Sequence, residues 1–164
     1  RVARTLDRGG VAVSLGRKLL QLVGPGIPDT YQGTEFFDFS LVDPDNRRFV
    51  DYGPHEQATD RAKHRIVREA LTLRRDHPEY FRGYRPVLAC GEAARHLIGM
   101  ERTNVIAVAT RLPISLERRG GWGDTTIKLD GTWTDQLTGH VFHGVTTVRE
   151  LLADLPTALL VQRG

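Results

Sequence analysis

An α/β segment leading into an all-β domain is the architecture expected of this chain, and three features of the sequence point to it. Val11, Leu15, Leu19, Leu22 and Val23 recur at helical spacing, and so do Ala62, Ile66, Val67, Ala70, Leu71 and Leu73. Between these stripes Pro25 and Pro28 bracket Ile27. Residues that precede proline are pushed to extended geometry, so a short strand is favoured there over a helix. From Tyr84 onward the apolar runs are short and punctuated by turn residues, which is the spacing of an antiparallel β domain.

Taken in order, the first helix is expected from about Val11 to Val23, with Arg17, Lys18 and Gln21 between its apolar positions and Gly24 and Pro25 as its stop. A strand and a dense polar loop occupy Gly24 to Tyr52. Thr59 or Asp60 can cap a second helix that runs to about Asp76 and ends before Pro78. Helix, strand, loop, helix is the order of a barrel or a doubly wound α/β fold. A boundary near Gly83 divides the chain into residues 1–83 and 84–164. Beyond it, strands are expected at Tyr84 to Ala89, His96 to Glu101, Val105 to Thr110, Thr125 to Leu129, Thr132 to Asp135 and Leu159 to Val161. Thr103-Asn104 and Thr138-Gly139 mark tight turns. Leu112 to Gly123, with a proline and three glycines, reads as a surface excursion. Val148, Leu151, Leu152 and Leu155 keep the helical period for one short helix.

Composition narrows the function classes. The 164 residues, 40% hydrophobic, suffice for a core. The net charge of +3 comes from 23 basic and 20 acidic residues, and the arginines are spread along the chain without a block interleaved with aromatics, so no nucleic-acid partner is expected. Cys90 is the single cysteine, which excludes an intrachain disulfide and a cysteine-based metal site and fits a reducing compartment, with the cytoplasm as the default. The six histidines are scattered without an HExxH pattern, so neither a metal nor another cofactor is expected. No segment has the apolar length to cross a bilayer, and no membrane partner is expected.

The loop holds the candidate chemistry. Between Glu35 and Arg48 lie Glu35, Asp38, Asp43, Asp45, Asn46 and the pair Arg47-Arg48, with Phe36, Phe37 and Phe39 interleaved and Tyr31 and Gln32 just upstream. Acidic and guanidinium groups can hold sugar diols through paired hydrogen bonds, and Tyr31 or Phe36 can offer an apolar face to a ring. The same charges can equally lock the loop through internal ion pairs and Asx turns. Glu35 and Asp38 follow a strand, the position at which barrel enzymes carry catalytic groups. Trp133, alternating with Thr132 and Thr134, is expected in the core, whereas Trp122 sits among glycines and is expected at the surface. His140 and His143, on a strand, are expected to be solvated.

The run PGIPDTYQGTE, from Pro25 to Glu35, resembles the eighth strand of the α-amylase clan, glycoside hydrolase family 13, with its Pro-Gly-x-Pro turn, strand tyrosine and Gly-x-Glu exit. Its continuation FFDFSLVDPDNRRFVDY (Phe36 to Tyr52), together with LRRDHPEYF (Leu73 to Phe81) and GGWGDT (Gly120 to Thr125), closely resembles maltooligosyl trehalose synthase. The resemblance spans most of the chain. It implies the C-terminal end of a catalytic (β/α)8 barrel in residues 1–83 and a small antiparallel β-sandwich in residues 84–164. A complete barrel takes roughly 250 residues, so one strand and two helices cannot form one alone.

The resemblance also implies an activity, the intramolecular transglycosylation that turns the reducing-end α-1,4 linkage of a maltooligosaccharide into an α,α-1,1 linkage. Such retaining chemistry needs a nucleophilic carboxylate and an acid/base carboxyl about 5 Å apart. In the family these groups come from earlier barrel strands, so no catalytic residue is expected here and Glu35 is read as shaping the substrate site. The implied partners are the maltooligosaccharide substrate, through the full-length enzyme, and the remainder of the barrel. Two other readings stay open: a non-catalytic β-sandwich module that binds glucan or stabilises a barrel, and part of another clan hydrolase or transferase.

Overall fold

The computed structural model describes residues 2–37, 49–50 and 58–162, with side chains from residue 8 onward and, after the 51–57 interval, from residue 59 onward. The first apolar stripe becomes α1, Val2–Val23. It starts well before the expected Val11 and runs through Gly9 and Gly10, residues that disfavour a helix in isolation. At Gly9 an added Cβ would sit 3.0 Å from Ile114 Cγ1, so close packing favours glycine there. At the other end Gly24 N–H bonds Leu20 O at 2.9 Å and the chain turns away. The second stripe becomes α2, Ala58–Asp76, close to the expected bounds, followed by a 3₁₀ turn at Pro78–Phe81.

Seven short strands follow, all antiparallel in their pairings: β1 (Arg85–Pro86), β2 (Ala89–Cys90), β3 (Leu97–Glu101), β4 (Val105–Thr110), β5 (Thr126–Asp135), β6 (Val141–Thr147) and β7 (Thr157–Val161). They form one sheet in the order β1-β3-β4-β7-β5-β2, with β6 on β5. The ends of that path meet, since β1 pairs with β3 and β2, just beyond it, pairs with β5. The sheet therefore curls back on itself, and the expected two-sheet sandwich is corrected to one curled antiparallel sheet. The last strand, β7, enters between β4 and β5, a placement that local patterning does not encode.

The two expected strands Thr125–Leu129 and Thr132–Asp135 are one bent strand, because a register shift at Asp130-Gly131 absorbs the turn residues. Gly131 takes φ +91°, open to glycine at no cost. The Leu112–Gly123 excursion contains a short helix, α3 (Pro113–Arg118), begun by the proline at its first turn. The predicted Val148–Leu155 helix is shorter, α4 (Val148–Leu151), and Thr147 caps it by accepting from Glu150 N–H.

Every residue of β4 and β7 is buried. Val105, Ala107, Leu159 and Val161 face α1 and α2, where they join Leu15, Leu19, Leu22, Val23, Ile66 and Ala70 in one core. Ile106, Val108, Ala158 and Leu160 face the inside of the curl with Ile127, Leu129, Trp133, Val148 and Leu151. Strands covered on both faces read as continuous apolar runs, as VIAVAT and TALLV do. Trp133 is core, as expected. Trp122 corrects its expectation: it is half-buried and packs against the inner cluster, because the glycine-flanked connector folds back over the curl. His140 and His143 are exposed.

Candidate functional site

No strand forms at Gly24 to Phe37; bends and turns replace the expected one. A strand exists through its ladder bonds, and no described strand pairs with Ile27–Tyr31 to supply them. The prolines keep this stretch out of a helix. It runs beside α1 and encloses, with Lys63 of α2, a cleft of about 830 Å³ lined by Gly10, Val13, Ser14, Arg17, Lys18, Leu20, Gln21, Asp29, Tyr31 and Thr34.

The near wall of this cleft is anchored at several points. Gln21 Nε2 donates to Asp29 O at 2.8 Å. Thr34 donates from its hydroxyl to Tyr31 O at 2.7 Å and from its N–H to the same oxygen at 3.2 Å, closing a turn. Gly33 takes φ +84° in that turn, and a Cβ there would lie 2.7 Å from Val50 Cγ1. The Lys63 ammonium donates to Phe36 O and sits 5.0 Å above the Phe37 ring. Phe37 N–H donates to Asp60 Oδ1 at 3.1 Å. Upstream, Arg74 donates to the carbonyls of Leu22 (2.8 Å), Gly24 (3.4 Å) and Gly26, and stacks on Phe81 at 4.8 Å. Arg102 reaches Val23 O and Phe81 O from the sheet side. Two guanidiniums thus satisfy the free carbonyls at the negative end of α1. Burial, and secondarily the neighbouring Arg102, lowers the Arg74 pKa.

Of the residues singled out from sequence, Tyr31 lines the cleft and is 68% exposed. Gln32 is exposed beside it and Glu35 is half-buried. Phe36 stacks on His64 with ring centroids 5.3 Å apart and planes 5° from parallel, so one of its faces is already covered. Asp38, Asp43, Asp45, Asn46, Arg47 and Arg48 lie outside the described residues.

Patterning missed Lys18. It is 9% exposed and belongs to the buried face of α1, because it stands three residues after Leu15 and four before Leu22. That spacing was the available signal. Burial lowers the Lys18 pKa, opposed by the charges of Glu35 and then Asp29. Among the described residues no group of three His, Cys, Asp or Glu is placed to hold a metal ion, and no helix is long and apolar enough to cross a membrane.

No family model matches the chain. A putative maltooligosyl trehalose synthase of Mycobacterium tuberculosis is 50% identical over 156 residues, which are 91% of this chain and 20% of that protein. The structure of maltooligosyltrehalose synthase from Arthrobacter ramosus superposes with a TM-score of 0.93 at 47% identity, covering 99% of this chain and 24% of that one. A hypothetical maltooligosyl trehalose synthase from Sulfolobus tokodaii gives a TM-score of 0.70 at 27% identity, covering 95% of this chain and 21% of that one. The chain thus spans about a fifth to a quarter of its relatives' length. Its homologues are maltooligosyl trehalose synthases, and it matches a C-terminal part of that longer enzyme.

Proposed function

We propose that the chain serves as the C-terminal part of a maltooligosyl trehalose synthase that converts the reducing-end α-1,4 linkage of a maltooligosaccharide to an α,α-1,1 linkage by intramolecular transglycosylation. The observation that carries this is the 50% identity over 91% of the chain to a protein of that name. In this reading residues 1–83 are the terminal segment of the catalytic (β/α)8 barrel and residues 84–164 its C-terminal β domain. The nucleophile and the acid/base come from other parts of the enzyme, and no metal or cofactor takes part. A cytoplasmic setting goes with it, supported by a single cysteine with no disulfide partner.

The loop through Tyr31, Gln32, Glu35, Phe36, Asp38, Asp43, Asp45, Asn46, Arg47 and Arg48 is assigned to one wall of the substrate site. Isomerisation requires that the released glucose be held while it turns and that water be kept from the glycosyl-enzyme intermediate. A wall pinned to two helices by Gln21, Lys63 and Asp60 suits that task. The test is product analysis of the full-length enzyme on maltopentaose. Loss of reducing ends with appearance of a terminal trehalose unit is expected, and simple hydrolysis would overturn the assignment. In the same assay Arg47→Ala is expected to raise free glucose relative to trehalose ends; an unchanged ratio removes the loop from that role.

A further inference from the structure

The outer side of β3 departs from the pattern of a water-facing sheet. Leu97 belongs to the cluster inside the curl and Met100 packs on the outer core beneath the helices, so Ile98 and Met100 share the outer side. The neighbouring segment continues that side. Pro86 pairs with Met100, and Val87, whose N–H bonds Gly99 O at 3.0 Å, turns inward with Ala89, which leaves Pro86 and Leu88 outside. Met100 is half-buried, but Pro86 is exposed, Ile98 is 46% exposed and Leu88 78%.

The β5–β6 hairpin shows what this sequence places where water is the neighbour. Facing outward there are Lys128, Thr132, Thr134 and His143, with Val141 and Val145 among them. β3 instead begins LIGM, apolar on both sides, in the manner of VIAVAT and TALLV, whose two faces are both covered. On the outer side that cover is helical. α1 rides on β4 so closely that a Cβ on Gly16 would lie 2.7 Å from Ala109 Cβ, and Ala109 pairs with Ile98. Neighbouring strands stand about 4.8 Å apart and packed helices about 8–10 Å apart, so the next helix place beside α1 lies over β3 and the 85–88 segment. The homologues have chain to fill it, since this one covers 20% and 24% of two of them.

We propose that Pro86, Leu88, Ile98 and Met100 form a docking surface whose occupant is the apolar face of an amphipathic helix from the part of the enzyme outside these 164 residues. This rests on the reading of the chain as part of a longer maltooligosyl trehalose synthase. The helix lies beside α1 and carries the helical layer on across the outer side of the sheet. It thereby holds the β portion to the catalytic body by more than α1 and α2, and removes from water the apolar surface that these 164 residues leave open.

The test uses the full-length enzyme. Leu88→Cys, Ile98→Cys and, as the reference, Val145→Cys at a position 72% exposed on the β5–β6 hairpin are each treated with iodoacetamide, and labelling of the new thiol is followed by peptide mass mapping. Labelling at least about tenfold slower at 88 and 98 than at 145 is expected; equal rates overturn the proposal. So does shielding that disappears on dilution, which would make a second copy the occupant, or shielding that needs maltopentaose, which would make it the substrate. Photoleucine and photomethionine, incorporated for the natural residues, identify what sits on the patch. Cross-links from Leu88 and Met100 to one segment outside these 164 residues, at positions three or four apart, are expected; links only within the 164 residues, or at alternate positions as a strand would give, sink the helix. Ile98→Asp is expected to lower the melting midpoint by several degrees and Val145→Asp to leave it in place, and equal shifts count against the patch. An enzyme that makes trehalose ends while both thiols label freely refutes this inference and leaves the proposed function standing; one that shields both and makes none does the reverse.

Discussion

Asp135, 1% exposed at the end of β5, accepts from Leu137 N–H and Leu159 N–H at 3.1 Å each and from the Thr138 hydroxyl at 2.7 Å. It closes the β5–β6 turn and ties it to β7 in one step. Asp135→Ala would leave two buried N–H groups without acceptors, at about 1–3 kcal/mol each, and a matching drop in unfolding free energy by denaturant titration is the expected result. Asp135→Asn keeps an amide oxygen for the backbone donors and is expected to cost far less. The pair also carries a pH signature. Burial raises the Asp135 pKa above its ordinary 3.8, outweighing the donors from Thr138, Leu137 and Leu159 and the charge of Arg65. The folded state therefore holds more protons than the unfolded state just above pH 3.8, and this group's contribution to stability falls as pH rises through that window. Stability of Asp135→Asn relative to the parent should accordingly improve as pH rises above 3.8; a difference that stays flat would refute the burial argument. Little of this was legible beforehand: Thr138-Gly139 announced a turn, but the acid that builds it takes a bond from a strand distant in sequence.

The helices were the most legible elements, and α1 explains both why and where that stopped. Its apolar stripe gave its C-terminal half and its stop at Gly24, while the role of Gly16 depends on the neighbour. A Cβ at Gly16 would lie 2.7 Å from Ala109 Cβ, so α1 and β4 approach at backbone distance. Gly16→Leu has to push the helix from the sheet, and a loss of about 1–3 kcal/mol or more is expected from overpacking. If denaturant titration finds Gly16→Leu neutral, the approach is slack. The end of α1 gives a second check. Arg74 donates to three alternate carbonyls, those of Leu22, Gly24 and Gly26, around that corner. Its replacement by Leu is expected to raise hydrogen exchange at that corner and leave the sheet amides unchanged. The 24–37 segment was misjudged as a strand for the complementary reason: proline fixes extended geometry locally, but a strand is a property of two segments.

Pairing is also what the sequence could not settle for the chain as a whole. β3 and β4 were found within a residue because each alternation or run stands alone, yet the curl depends on β7 passing between β4 and β5 and on β2 closing onto β5. The apolar runs of β4 and β7 did carry a further message, coverage on both faces. One face belongs to α1 and α2, with Val105, Ala107, Leu159 and Val161 packed on Leu15, Leu19, Leu22 and Ile66; the other belongs to the inner cluster around Trp133. The helical and β portions thus share one core across the boundary that the sequence suggests near Gly83. Unfolding the helices would expose the outer face of the two central strands at about 25 cal/mol per Å² of apolar surface, so neither portion should melt alone. In a denaturant titration of the 164-residue chain, far-ultraviolet circular dichroism, weighted to α1 and α2, and tryptophan fluorescence, weighted to the buried Trp133, are expected to trace one coincident transition. Helical signal lost at lower denaturant, with the fluorescence transition unmoved, would mean that the β portion is stable by itself and that the shared core contributes less than its burial implies.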